Sequence, residues 1–224
     1  MEQGSQINDE FQFEIVDRTR LDQLSDIISD HFYDDHPIFS IFGLNRYNGE
    51  GFLDRYIKLG FGEPPMSIIC LKNGQILGCC MCVLIDDQKA NFHDYEVLSS
   101  RDHKYLSKNV QILSDYYAKL GGDMGNFVPN QKYTRLLFAW VNEQYRRKGL
   151  AEKMTKMVLE RAKSLACKSV ICTANSFKGQ AMFKKLGFQV MKTLLHKDFT
   201  DVDGRPMFQC KDQSYCGQIL KLNL

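Results

Sequence analysis

Tyr133–Ala166, YTRLLFAWVNEQYRRKGLAEKMTKMVLERAKSLA, decides the fold, because it reads as strand, glycine turn and long helix in immediate succession. Leu136 to Val141 is an apolar run containing Phe138 and Trp140, long enough for a core strand and too short for a helix. Arg146-Arg147-Lys148-Gly149-Leu150-Ala151 forms the turn. From Leu150 onward Met154, Met157, Val158, Ala162 and Leu165 recur at spacings that place them on one helical face, while Glu152, Lys153, Lys156, Glu160 and Lys163 fall on the other. A helix entered through a tight basic turn offers backbone N–H groups with no partner inside the helix, and its dipole favours an anion there. Gly149 lets a ligand approach the backbone, and Arg146, Arg147, Lys148 and Lys153 add positive charge, so a phosphorylated ligand is expected at Arg146–Ala151.

The downstream stretch has the same character. Lys168 to Thr173 (KSVICT) reads as the next strand and Phe177 to Phe188 (FKGQAMFKKLGF) as a short helix closing on Leu-Gly-Phe. Together, R-x-x-G-x-A at a strand-to-helix junction and the later Leu-Gly-Phe segment resemble the GNAT superfamily of N-acetyltransferases over roughly residues 133 to 190. The resemblance implies an α/β (α+β) fold with a mixed central sheet of about seven strands and flanking helices. It also implies acetyl-CoA as cosubstrate and no metal. The fourth and fifth strands, here Leu136–Val141 and Lys168–Thr173, are expected to splay so that the pantetheine arm lies between them.

Composition agrees with a small-molecule enzyme. Lys plus Arg number 29 against 27 Asp plus Glu in 224 residues, and the basic residues concentrate after Arg135 without interleaved aromatics, so no nucleic-acid partner is expected. No apolar run reaches the ~18 residues of a membrane span, and the first residues lack the basic start and apolar core of a secretory signal. A cytoplasmic, reducing setting is therefore expected for the 8 cysteines. Cys79, Cys80 and Cys82 sit in an apolar run without zinc-site spacing and read as core residues. With no linker, repeat or low-complexity block, residues 11 to 224 read as a single domain after a disordered stretch of residues 1 to 10. Nothing in the sequence specifies an oligomeric state.

The remaining elements follow from pattern. Phe11 to Val16 alternates as a strand; Leu21 to His31 has helical spacing; residues 50 to 60 read as a short helix. Met66 to Leu71 and Gln75 to Ile85 are strands joined by Asn73-Gly74, a strong hairpin signal. Lys104 to Leu120 is an amphipathic helix, Gly121 to Gly125 a turn without the features of a phosphate loop, and Phe188–Phe199 and Tyr215–Leu222 are the last strands.

Acetyl transfer to an amine needs a proton acceptor, a stabilised oxyanion and a route for the thiolate to leave. The resemblance gives the oxyanion role to backbone N–H groups near Val141 and a cofactor contact to Asn175, with Leu150 and Ala151 completing the phosphate loop. Thr173 and Ser176 are alternatives on the same segment, and Ser176 is the candidate acid because Phe183 occupies a position where many family members carry Tyr. Tyr33-Asp34-Asp35-His36-Pro37 resembles the acidic element after the first helix in arylalkylamine-type N-acetyltransferases. His36 stands where that branch has its proposed glutamate base, so it is the candidate base, with Tyr33, Asp34 and Asp35 meeting the amine. Pro37 is expected to turn the chain at His36. A metal held by His31, Asp34, Asp35 and His36 is chemically conceivable but not required. The expected reaction is acetyl transfer to a small primary amine; polyamine or protein-lysine acetylation, and acetyl-CoA binding without catalysis, are the alternatives.

Overall fold

The computed structural model describes residues 10–49, 52–86, 107–122 and 124–224. The expected disordered N-terminus, apart from Glu10, and residues 104–106 of the expected helix lie outside the described residues.

Among the described residues seven strands form one sheet, and five α-helices cover its two faces. In chain order they are β1 (Gln12–Ile15), α1 (Leu21–Asp35), α2 (Phe52–Leu59), β2 (Ile68–Lys72), β3 (Gln75–Asp86), α3 (Lys108–Leu120), β4 (Lys132–Val141), α4 (Leu150–Ser164), β5 (Ser169–Ala174), α5 (Phe177–Lys185), β6 (Gln189–Leu195) and β7 (Cys216–Asn223). The sheet order is β1-β2-β3-β4-β5-β7-β6. All neighbouring pairs are antiparallel except β4 and β5, which run parallel. The β2–β3 hairpin turns at Asn73 and Gly74, both left-handed with φ of 50° and 76°, the backbone that Asn-Gly supplies most readily.

The core is split by the sheet. On one face α4 packs Leu150, Met154, Val158 and Ala162 against Cys80, Cys82, Leu136, Val170 and Cys172, with Phe183 and Phe188 closing the layer. On the other, α1, α2 and α3 bury Leu24, Ile28, Leu53, Ile57, Leu113 and Tyr116 over Cys79, Met81, Tyr133, Phe138 and Trp140. Every described cysteine is a free thiol, and burial pushes Cys79, Cys82 and Cys172 well above the usual thiol range.

Two irregularities open the sheet where a site is needed. Met81 pairs with Phe138 and Cys82 with Leu136, which leaves Leu137 as a bulge in β4. The extra residue reverses the inward and outward alternation, so Tyr133 before the bulge and Phe138 and Trp140 after it all reach the α1 face. The second irregularity is a divergence. β4 and β5 pair only from Tyr133 with Ser169 to Leu136 with Cys172, so Leu137–Val141 leave β5 and the sheet gapes from the bulge onward.

Candidate active site

A cleft of about 1490 Å³ occupies that gap. It runs from Arg146, Arg147, Gly149, Leu150 and Ala151 at the start of α4, along Leu137–Val141 and Thr173–Ser176, to an aromatic end walled by Phe32, Phe39, Tyr56, Tyr117, Phe138 and Trp140.

The α4 entrance is built for an anion. Gly149 caps the helix in the left-handed region (φ 76°, ψ 6°), with no side chain satisfying the first N–H groups. The first bond of the helix is Lys153 N–H to the Gly149 carbonyl at 2.9 Å, so the amides of Leu150, Ala151 and Glu152 precede the helical ladder. Arg147 is left-handed too (φ 64°). Two left-handed residues around one helix start curl successive N–H groups inward, an arrangement that suits phosphate. Glu152, the only acidic side chain in the first turn, is neutralised by Lys156 at 2.9 Å and Lys185 at 2.8 Å.

The basic residues of this turn have different roles. Lys148 lies 5.6 Å from the Phe11 ring and 5.4 Å from that of Tyr145, and Lys153 lies 4.3 Å from Phe13, so aromatic faces hold both beside the entrance. Arg146 turns inward. Its Nε donates to the Val141 carbonyl at 3.0 Å and its terminal nitrogen pairs with Asp35. Asp35 also accepts from Trp140 Nε1 at 3.0 Å. Arg146 and Asp35 thus clamp the end of β4 to the end of α1, and both line the cleft.

Val141 meets the site through its backbone. Asn142 N–H donates to Leu77 on the β3 side at 2.8 Å, so strand alternation points the Val141 N–H the other way, into the gap. Ser176 caps α5 by accepting from Gly179 N–H at 3.1 Å, which leaves its own hydroxyl hydrogen available to the cleft it lines. Asn175 is buried, and its amide is taken by Tyr116 Oη at 3.2 Å and Tyr117 Oη at 2.9 Å. It braces the end of β5 against α3. Phe183 lines the cleft and packs on Phe188 with ring centroids 5.1 Å apart.

Helix α1 runs to Asp35 rather than stopping near His31, and this rearranges the candidate substrate residues. Phe32, Asp35 and His36, spaced by three and four, face the cleft. Tyr33 turns into the core and Asp34 into solvent, and neither lines the cleft. Burial raises the Tyr33 hydroxyl above its ordinary range. His36 leaves the helix with extended backbone (φ −82°, ψ 123°), as expected before Pro37.

The His36 ring stacks on Phe39 at 4.0 Å, and its Nδ1 accepts from the N–H groups of Ile38 at 3.3 Å and Phe39 at 3.4 Å. Burial lowers the ring to about 3. A neutral imidazole whose Nδ1 lone pair is occupied carries its hydrogen on Nε2, so it is a hydrogen-bond donor with no lone pair left to take a proton.

One carboxylate in the cleft gave no sequence signal. Asp212, on the loop between β6 and β7, lines the cleft and also a second cavity of about 620 Å³ containing His196 and Cys210. Its two oxygens accept from Ser214 N–H and Ser214 Oγ, both at 2.9 Å. Ser214 Oγ accepts in turn from Phe177 N–H at 3.1 Å, which ties the loop to the start of α5. Among the described residues no group of three or more His, Cys, Asp and Glu is placed to hold a metal. No described helix is long and apolar enough to cross a membrane.

Residues 112–188 match the acetyltransferase (GNAT) family, and the chain carries a GNAT acetyltransferase domain, which places it among the acyltransferases. No curated protein matches the chain in sequence. Among solved structures it is similar to arylalkylamine N-acetyltransferase 2 from Aedes aegypti, with TM-score 0.80 and 16% identity over 95% of this chain and 98% of that one. It is similar also to a mosquito arylalkylamine N-acetyltransferase like 5b, with TM-score 0.74 and 15% identity over 96% and 100%. A third similar structure is the Drosophila melanogaster polyamine N-acetyltransferase that forms N-acetylagmatine, with TM-score 0.72 and 18% identity over 96% and 100%. At these identities the likeness is one of fold.

Proposed function

We propose that this chain transfers the acetyl group of acetyl-CoA to a small primary amine of arylalkylamine type, by direct attack of the amine on the thioester. The observation that carries the reading is the continuity of the cleft, which joins an anion-binding helix start to an aromatic-walled end through the gap between β4 and β5. The uncapped N–H groups after Gly149 fit a pyrophosphate, with Arg147 and Lys148 supplying charge around it. The unpaired edge of β4 fits an extended pantetheine arm, whose amides would replace the missing β5 partner. Burying the thioester there excludes water, and the N–H groups of β4 beyond the Leu137 bulge face the region where negative charge would develop on the carbonyl oxygen. Ser176 is the hydroxyl available to the leaving thiolate.

The aromatic end supports an arylethyl group, because Phe32, Phe138 and Trp140 offer ring faces close to the thioester path. His36 acts in this reading as a neutral donor that orients the substrate, and the base assignment moves elsewhere. Polyamine acetylation is the second reading, favoured by the Asp212 carboxylate on the cleft wall. The decisive measurement is CoA-thiol release from acetyl-CoA with dopamine, serotonin, tryptamine, phenylethylamine, spermidine and a lysine peptide. Preference for the arylalkylamines is expected. Preference for spermidine refutes the substrate class, and confirmed acetyl-CoA binding with no release from any amine refutes transfer.

A further inference from the structure

Attack on the thioester requires an ammonium to lose a proton first, so the cleft must hold a group with a free lone pair. The residues on the α1 side are weak acceptors. His36 presents N–H at Nε2 because its Nδ1 faces two backbone donors, and the charge of Asp35 is compensated by Arg146, which shares Asp35 Oδ2 with Trp140 Nε1. Glu152, at the opposite end, is engaged by two lysines.

Asp212 differs from these. Both of its hydrogen bonds come from Ser214, a neutral residue, and among the described residues it makes no ion pair. Lys178, which lines the same wall, lies 5.7 Å from the Phe177 ring centroid. The link from Asp212 through Ser214 to Phe177 N–H fixes the carboxylate beside the end of β5, next to Ser176. Asp212 is near enough to both His36 and His196 to act on them electrostatically. Burial lowers both rings, so neither offers a compensating positive charge at neutral pH. His196 is 4% exposed, and its Nε2 is buried without a hydrogen-bond partner in the cavity wall that it shares with Asp212. Asp115 and Glu143 line the cleft as well; Asp212 is the carboxylate that Ser214 fixes at the end of β5, where no described ion pair compensates its charge.

We propose that Asp212 is the catalytic proton acceptor of this site: it pairs with the substrate ammonium and takes its proton before the nitrogen attacks. The inference rests on the acetyl-transfer reading above. One ammonium proton passes to a carboxylate oxygen, directly or through one water, and from there to solvent. The freed nitrogen lone pair forms the C–N bond at the thioester carbon. The C–S bond then breaks, its electron pair leaves with sulfur, and the second nitrogen proton converts the thiolate to the CoA thiol. The β6–β7 loop thus provides the carboxylate that the turn after α1 lacks.

Asp212→Asn tests this, since an amide keeps an oxygen and a donor for Ser214 and loses the negative charge and the basic lone pair. With the best amine of the panel, kcat/KM at pH 7 is expected to fall about 10²–10⁴-fold. The loss should then shrink about tenfold per pH unit up to the amine's own pKa, because the variant depends on free amine in solution, whereas Asp212→Glu should restore the wild-type profile shape. Acetyl-CoA affinity should stay at the wild-type value, which reports an intact fold; if Asp212→Asn does not fold, Asp212→Ser is read in the same way. A wild-type rate and profile in the variant, or a rise in KM with unchanged kcat and profile, overturns the proposal while acetyl transfer stands. A wild type that binds acetyl-CoA and acetylates no amine overturns both.

Discussion

Substitution of Gly149 separates backbone strain from electrostatics at the phosphate entrance. Gly149 sits at φ 76° and caps α4 without a side chain. Alanine there carries the left-handed penalty of about 1–2 kcal/mol, or about 2–8 °C in Tm for a chain of this size. Aspartate tolerates the left-handed region better than alanine, so Gly149→Asp should melt above Gly149→Ala. Ligand affinity should rank in the reverse order. A carboxylate about 4 Å from a phosphate oxygen opposes it by about 1 kcal/mol at the dielectric of water and about 4 kcal/mol at that of a protein surface. That corresponds to a Kd about 5- to 1000-fold weaker than in the alanine variant. Calorimetric melting and titration with acetyl-CoA give both quantities on the same samples, and added salt should narrow the gap in affinity. If the two variants rank the same way in stability and in affinity, the helix start is not where the phosphates bind.

Two further outcomes follow from buried groups. His36 has a folded value of about 3 against 6.5 when free, so the unfolded chain takes up the proton first. Its contribution is complete above pH 6.5 and declines as pH falls toward 3, by at most about 2 kcal/mol between pH 7 and pH 5. Urea unfolding at both pH values should show that loss, and His36→Gln should remove it; an identical pH dependence in the variant refutes the burial of a neutral ring. Gly217→Ala would drive a methyl into Tyr116 Oη and place it 2.7 Å from Asn175 Oδ1. Tyr116 is fully buried and cannot swing away, so overpacking and the lost hydrogen bond, about 1–3 kcal/mol each, should lower Tm by at least about 4 °C. An unchanged Tm would show that the brace around Asn175 yields freely.

The elements that were legible in the sequence are those whose residues repeat with a local period. The apolar face of α4, the Asn73-Gly74 hairpin and the buried Cys79–Cys82 run each report burial within one element, and each stands where its pattern places it. The turn at His36 was legible because proline constrains its predecessor through covalent geometry. The end of α1 was not. His-Phe-Tyr-Asp-Asp has mixed polarity, and the helix continues through it because Phe32 and Tyr33 find apolar neighbours in Phe39 and Phe138, which are remote from the helix period. That extension decides which of Tyr33, Asp34, Asp35 and His36 reach the cleft.

The candidate site divides along the same line. Sequence alone determined the order of strands and helices and the glycine turn that starts α4, and the family resemblance implied the opening beside β5, since a glycine turn before an amphipathic helix carries its chemistry in its own backbone. Only the tertiary structure decided that Arg146 turns inward to Asp35, that Leu137 bulges, that Asn175 is gripped by Tyr116 and Tyr117, and that Asp212 lines the same cleft as His36. Asp35 and Arg146 are 111 residues apart in the chain, and no local period records such a meeting. Side-chain chemistry between distant segments is set by how layers pack, and packing is a property of the whole chain.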